Sequence, residues 1–111
     1  AAARGISEGD LVRLHNERGA TISVAIPDPG VRQGVVMLAT GAWYDPDLEG
    51  DETCCKHGNP NTLTRDQGTS ELAQGPGAMT CLVDIERLSG PAPEVTAFVP
   101  PVILRGDKGQ P

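Results

Sequence analysis

Three amide side chains, Asn59, Asn61 and Gln74, stand close together in the middle of this chain, interleaved with Gly58, Gly68 and Gly75. Each amide presents donors and acceptors on one planar group, which suits a heterocycle or sugar whose edge alternates the two. Glycine lets backbone N–H groups come close to a ligand, its phosphates included, so an acidic domain can contact anions without Lys or Arg. Turn capping is the other use of Asn in such loops; for any single Asn it is the preferred reading, and for the cluster capping and binding are even. The same stretch holds the only Trp, the only Tyr and one of the two His residues: Trp43, Tyr44 and His57. Trp43 and Tyr44 precede Asp45-Pro46, where a turn is expected to expose at least one ring, and packing in the core is as good a reading of the pair as binding.

Other chemistries fit the residues less well. Cys54-Cys55-Lys56-His57 invites zinc, with Cys81 as a distant third sulfur. Adjacent cysteines do not easily fill two vertices of one tetrahedron, and no spaced second pair exists. Cys55 and His57 as nucleophile and base are separated by a single residue, with no evident orienting acid. Packing or incidental exposure is the preferred reading of all three sulfurs. The acidic run Asp45, Asp47, Glu49, Asp51, Glu52 lacks the spacing and closing Glu of a calcium loop and reads as solvated.

The elements that must hold this polar middle are short and aliphatic. The 111 residues make one domain or a piece of one, with 38% hydrophobic and only 3% aromatic content. Fourteen Gly and ten Pro argue for many turns and few long helices. The formal charge of -6 and the absence of a basic stripe disfavour a nucleic-acid surface. No apolar run approaches the roughly 20 residues of a membrane span. The start Ala1-Ala2-Ala3-Arg4, without an initiator Met, reads as a piece of something longer with no signal peptide in it. Three cysteines make no disulfide framework.

Ala1 to Ile6 reads as a helical turn closed by Gly5. Leu11 to His15 and Ala20 to Ile26 read as a β-hairpin reversed at Asn16-Glu17-Arg18-Gly19, with Gly19 suited to a positive φ. Val12 and Leu14 share one face; Leu11, Arg13 and His15 the other. Pro27-Asp28-Pro29-Gly30 breaks the strand, and Val35 to Leu38 is expected as a third strand buried on both faces. From Thr40 to Gly77 no period is sustained, and a loop of that length is commonly functional. Thr80 to Arg87 alternates, with Cys81, Val83 and Ile85 on one side. Val95 to Leu104, interrupted by Pro100-Pro101, is expected to dock in extended form, and Arg105 to Pro111 to fray.

Taken jointly, Gly41-Ala42-Trp43-Tyr44-Asp45-Pro46, Cys55-Lys56-His57-Gly58-Asn59-Pro60-Asn61-Thr62-Leu63-Thr64, Asp66-x-Gly68-Thr69-Ser70 and Leu72-Ala73-Gln74-Gly75 resemble the C-terminal domain of the dimethyl sulfoxide reductase family. The branch they are most similar to holds the trimethylamine N-oxide, dimethyl sulfoxide and biotin sulfoxide reductases. Ala3-Arg4-Gly5-Ile6, Gly9-Asp10-Leu11-Val12, Asn16-x-Arg18-Gly19 and Pro29 to Leu38 fit the same domain. The resemblance covers about residues 1–100, with 101–111 as a C-terminal extension or tail.

The resemblance implies a mainly β fold, a six-stranded double-psi β-barrel with long polar loops, whose first strand precedes Ala1 and is missing here. It implies a cofactor-binding domain of a molybdenum-dependent S-oxide or N-oxide reductase, holding bis(molybdopterin guanine dinucleotide). The metal's protein ligand belongs to another domain, so no catalytic or metal-ligating residue is expected in this chain. Matching the family's contact loops are His57, Gly58, Asn59 and Asn61, then Gln74 and Gly75, with Trp43 and Tyr44 in the loop after the strand. Implied partners are the remaining domains of the same polypeptide and an electron donor such as a c-type cytochrome or a soluble reductant. A periplasmic residence is favoured over a cytoplasmic one. A cofactor-free β-barrel interaction module is the rival, marked by an apolar patch across the loop face; a stand-alone enzyme using His57 with Cys55 is the other.

Overall fold

Short aliphatic runs separated by turn residues fold as the alternation requires. The computed structural model describes residues 1–75, 77, 80–104 and 106. Strands β1 (Leu11–His15) and β2 (Ala20–Val24) form the antiparallel hairpin, with Arg13 opposite Ile22 and Leu14 opposite Thr21. Strand β4 (Asp84–Arg87) adds antiparallel to β1, placing Ile85 opposite Leu14. Strand β3 (Cys54–Cys55) runs parallel to β2, giving the order β3-β2-β1-β4. The fold is mainly β, and the four strands among the described residues make one open mixed sheet, not a closed six-stranded barrel.

Residues directly opposite on neighbouring strands share a face, and each face carries a small core. On one, Val12 and Leu14 pack with Ile6 and Leu63, and Ala25, Cys81, Val83 and Ile85 close in around them. The other gathers Ala20, Ile22 and Cys54 beneath Leu88. The expected sidedness of Cys81, Val83 and Ile85 therefore holds, although β4 begins at Asp84, not Thr80. Its partner β1 ends at His15, so residues before Asp84 have no ladder to join. The Asn16 side chain takes over there, donating to Leu82 O at 3.2 Å.

The N-terminal turn forms over Ala2–Arg4 and closes at Gly5 with φ 66°. Arg4 Nη1 donates to Ile85 O at 2.9 Å and pairs with Asp84. The hydrogen bond from Arg4 holds the Asp84 carboxyl below its usual range.

Three expectations need correction. Val35 to Leu38 form no strand and pair with none of the strands among the described residues; Val35, Val36 and Met37 are exposed. Strand β2 stops at Val24, and Val24 and Ile26 are exposed, since β3 covers only the first two residues of β2. Gly19 has no positive φ. It is glycine for space: a Cβ there would stand 2.7 Å from Thr53 O and 2.8 Å from Thr62 O.

Past β4 the chain docks through Thr96 and Phe98, while Val99, Val102, Ile103 and Leu104 stay exposed. The expected frayed tail lies, apart from Gly106, outside the described residues.

Candidate functional site

The turn of the β1–β2 hairpin is what anchors the polar loops. Asn16 Nδ2 donates to Leu63 O at 2.9 Å, and Arg18 Nε donates to the same oxygen at 2.7 Å. With Gly19 leaving room for Thr53 O and Thr62 O, three hairpin residues grip both ends of the stretch from Thr53 to Leu63. Within it, Pro60–Thr62 forms a single 3-10 turn capped by Asn59. Asn59 Oδ1 accepts from Asn61 N at 2.9 Å while its Nδ2 donates to Ala42 O at 3.1 Å. Both ends of the Asn59 amide are thus engaged inside the protein. Gly58 is buried with φ 82°, where a side chain would be strained.

The sequence-derived candidates divide into two groups. Asn61, Gln74 and Gly75 line one groove of about 340 Å³, together with Leu38, Thr40 and Arg65. Gln74 Nε2 donates to Ser70 O at 2.9 Å, and Thr69 N donates to Gly75 O at 3.1 Å, which folds the second loop back on itself. A neighbouring groove of about 660 Å³ shares Arg65, Gln67 and Gly68 with the first and adds Glu17 and Arg18. The sequence reading supplied anion contacts from glycine backbone alone. Arg65 between the two grooves was missed, because one Arg in an acidic chain carries no pattern.

His57, Trp43 and Tyr44 lie in the second group. His57 Nδ1 is 3.3 Å from Trp43 O, and the His57 ring meets Phe98 edge-on, with centroids 5.0 Å apart. Trp43 and Phe98 are tilted at 5.5 Å. Trp43 and Tyr44 both expose most of their rings, at 64% and 55%, so the turn presents two rings where one was the minimum expected. Tyr44 Oη donates to Glu52 O at 3.3 Å.

Beneath these rings sits a polar node that the sequence reading assigned to solvent. Asp45 is buried, at 5% exposure. Its Oδ2 accepts from Thr96 N at 2.7 Å and its Oδ1 from Thr96 Oγ1 at 2.6 Å. Lys56 Nζ lies 3.8 Å from Asp45 Oδ1 and donates to Thr96 Oγ1 at 3.1 Å. Burial by itself raises the Asp45 carboxyl, but the Thr96 hydrogen bonds and the Lys56 charge outweigh it and hold the group below its ordinary 3.8. A depressed folded-state value stabilises the native state above the unfolded value and ceases to do so as pH falls through the folded one. Acidification well below pH 3.8 is therefore expected to release residues 94–99 before the hairpin melts. Amide exchange of Thr96 measured against that of Thr21 across the titration checks this.

The cysteines pack. Cys55 is fully buried, and its Sγ accepts from Asp45 N and His57 N, each at 3.4 Å. Burial pushes the Cys54 thiol above its ordinary value. His57 turns Nδ1 toward Trp43 O, not toward a thiol, so no nucleophile–base pair is assembled. Among the described residues no three His, Cys, Asp or Glu side chains converge, and no helix is long and apolar enough to cross a membrane.

Comparison with known proteins bears on this geometry. A family model described as Molydopterin dinucleotide binding domain matches residues 1–82. The chain is 50% identical over 103 residues to a trimethylamine-N-oxide reductase of Haemophilus influenzae, a match covering 91% of this chain and 12% of that protein. It is 52% identical over 103 residues to the trimethylamine-N-oxide reductase of Salmonella typhimurium, covering 92% and 12% respectively. For that of Vibrio vulnificus strain YJ016 the identity is 47% over 102 residues, with the same coverage. The chain thus spans 12% of the length of the curated relatives it matches.

Proposed function

Since this chain belongs to the molydopterin dinucleotide binding domain family, we propose that the groove lined by Asn61, Gln74 and Gly75 holds part of a bis(molybdopterin guanine dinucleotide) molybdenum cofactor. The observation that carries the reading is the convergence of two amides, a cation and glycine backbone on one groove. The donor set fits such a group. Asn61 offers paired donors and acceptors to a pterin edge, and Gln74, whose Nε2 donates to Ser70 O, offers its carbonyl oxygen as an acceptor. Arg65 supplies a forked cation for phosphate oxygens, and Gly68 and Gly75 line the same groove, where glycine keeps the backbone open to close approach. Leu38 gives an apolar wall. The groove's size is that of a small-molecule subsite, so it takes one portion of the dinucleotide.

Asn59 contributes by holding the Asn61 backbone, and Gly58 by turning the chain beside Ile22. His57, Trp43 and Tyr44 form the rim of the same loop face. When bound, the cofactor supplies the redox chemistry; the chain binds, orients and shields it. None of its residues is assigned a proton or oxygen transfer.

The intact protein is read as an S-oxide or N-oxide reductase. The names of its relatives favour an N-oxide, reduced with two electrons and two protons to an amine and water. The intact domain, about residues 1–100, is read as the double-psi barrel. Exposed Trp43, Tyr44 and Phe98 support packing of the remaining domains against the loop face. A c-type cytochrome or soluble reductant is the electron donor in this reading, and the periplasm its compartment.

Asn61→Ala with Gln74→Ala in the full-length protein tests it. At roughly 0.5–1.5 kcal/mol per lost hydrogen bond, cofactor affinity is expected to fall about tenfold or more, read as molybdenum and guanine content. Wild-type occupancy with full turnover overturns the proposal.

A further inference from the structure

After β4 the chain leaves the sheet and returns to the loop face at one place. Thr96 there makes contacts through both its N–H and its hydroxyl. The N–H donates to Asp45 Oδ2 at 2.7 Å; the hydroxyl donates to Asp45 Oδ1 at 2.6 Å and accepts from Lys56 Nζ at 3.1 Å. Two residues on, Phe98 lies 5.0 Å from the His57 ring and 5.5 Å from the Trp43 ring. Val99 N donates to Thr96 O at 3.0 Å, a turn that sets Thr96 and Phe98 to face the loops together. The segment thus bridges two loops that also meet through Asp47 N to Cys54 O, Lys56 N to Asp45 O, the Pro46–Cys55 bridge, the Cys55 sulfur, Tyr44 to Glu52, His57 to Trp43 and Asn59 to Ala42.

We propose that residues 94–99 are a strap, and that Thr96 and Phe98 are positioning residues for the loop that carries His57, Asn59 and Asn61. The physical case is one of ordering. The loop from Gly41 to Asn61 contains one two-residue strand and one 3-10 turn, and its two arms are joined by isolated backbone bonds, Asp47 N to Cys54 O at 3.0 Å and Lys56 N to Asp45 O at 2.8 Å, with no continuous ladder, so side-chain contacts add to what resists its opening. Thr96 converts an Asp–Lys contact at 3.8 Å into a closed three-membered network in which each partner fixes the others. Phe98 packs tilted against the exposed Trp43 ring, with centroids 5.5 Å apart. The strap lies after residues 1–82, which the family model covers. Its effect on the cofactor rests on the function proposed above; its effect on loop order does not.

The experiment separates the two. Thr96→Val removes the hydroxyl and keeps shape and backbone; Thr96→Ser restores the hydroxyl; Phe98→Leu removes the ring. In this chain, amide exchange at Lys56 and Asn61 is expected to speed up about tenfold in Thr96→Val and Phe98→Leu. Thr96→Ser should return it to the wild-type rate, and the hairpin amides of Leu14 and Thr21 should not change. Trp43 is the sole Trp, so its emission reports loss of the Phe98 contact directly. Unchanged exchange at Lys56 and Asn61, or an equal rise at Leu14 and Thr21, overturns the positioning role. In the full-length protein loaded with cofactor, Thr96→Val and Phe98→Leu are expected to lose molybdenum faster on dilution. Faster loop exchange with undiminished cofactor retention upholds the strap and overturns the loop as a cofactor contact.

Discussion

Asp45→Ala is expected to destabilise the chain by about 3 kcal/mol, the low end for breaking a buried ion pair. The side chains of Asp45 and Lys56 expose only 6% and 10% of their surface, so removal of the carboxylate leaves a cation with little water around it. Thr96 loses both acceptors at once, and each stranded donor adds to the cost. Lys56 moderates the loss, because its long stem can carry the ammonium outward. About 3 kcal/mol is a large share of the stability of any domain of this size. Urea denaturation of the chain measures it. Asp45→Ala with Lys56→Met is the informative companion: it removes both charges while leaving Thr96 without its acceptors in both variants, so recovery of most of the lost stability locates the cost in the unpaired cation. A loss under about 0.5 kcal/mol for Asp45→Ala, the ordinary scatter of surface substitutions, contradicts the buried node.

Gly19→Ala is expected to cost about 1–3 kcal/mol, the usual range for forcing an extra carbon into a filled space. The added carbon would meet two backbone oxygens, Thr53 O at 2.7 Å and Thr62 O at 2.8 Å. Neither can swing aside as a side chain would. Thr53 O also accepts from Ala20 N at 3.1 Å, the bond that seats β3 beside β2, and Thr62 closes the turn that carries Asn61. The expected signature is therefore a stability loss joined to altered amide signals at Thr53, Cys54, Asn61 and Leu63, while β4 keeps its register on β1. A variant as stable as wild type would show that the hairpin and the loops approach less closely than this geometry requires.

The hairpin was readable because its alternation is local: Val12 and Leu14 against Leu11, Arg13 and His15 need only a period of two. The same holds for the sidedness of Cys81, Val83 and Ile85, and for the Gly5 turn. Strand β3 was not readable, since two residues have no period. Val35 to Leu38 misled for a related reason. An apolar run states a preference for burial, whereas a strand needs a neighbour offering N–H and C=O groups. At Gly19 the residue type was flagged and the cause misassigned, because positive φ and close approach leave the same glycine in the sequence.

For the site, residue chemistry and resemblance singled out loops from which Asn61, Gln74 and Gly75 meet in one groove. Sequence by itself determined that the fold is mainly β and which kinds of groups its loops carry, because composition, alternation and motif spacing are properties of neighbours along the chain. The tertiary structure alone decided that Asp45 leaves the acidic run to be buried with Lys56 and Thr96, and that Arg65 stands between two grooves. It also decided that Phe98 closes on His57. Those contacts join residues more than ten positions apart, up to Asp45 with Thr96, and such pairings are set by which surfaces can exclude water together, not by anything adjacent residues encode.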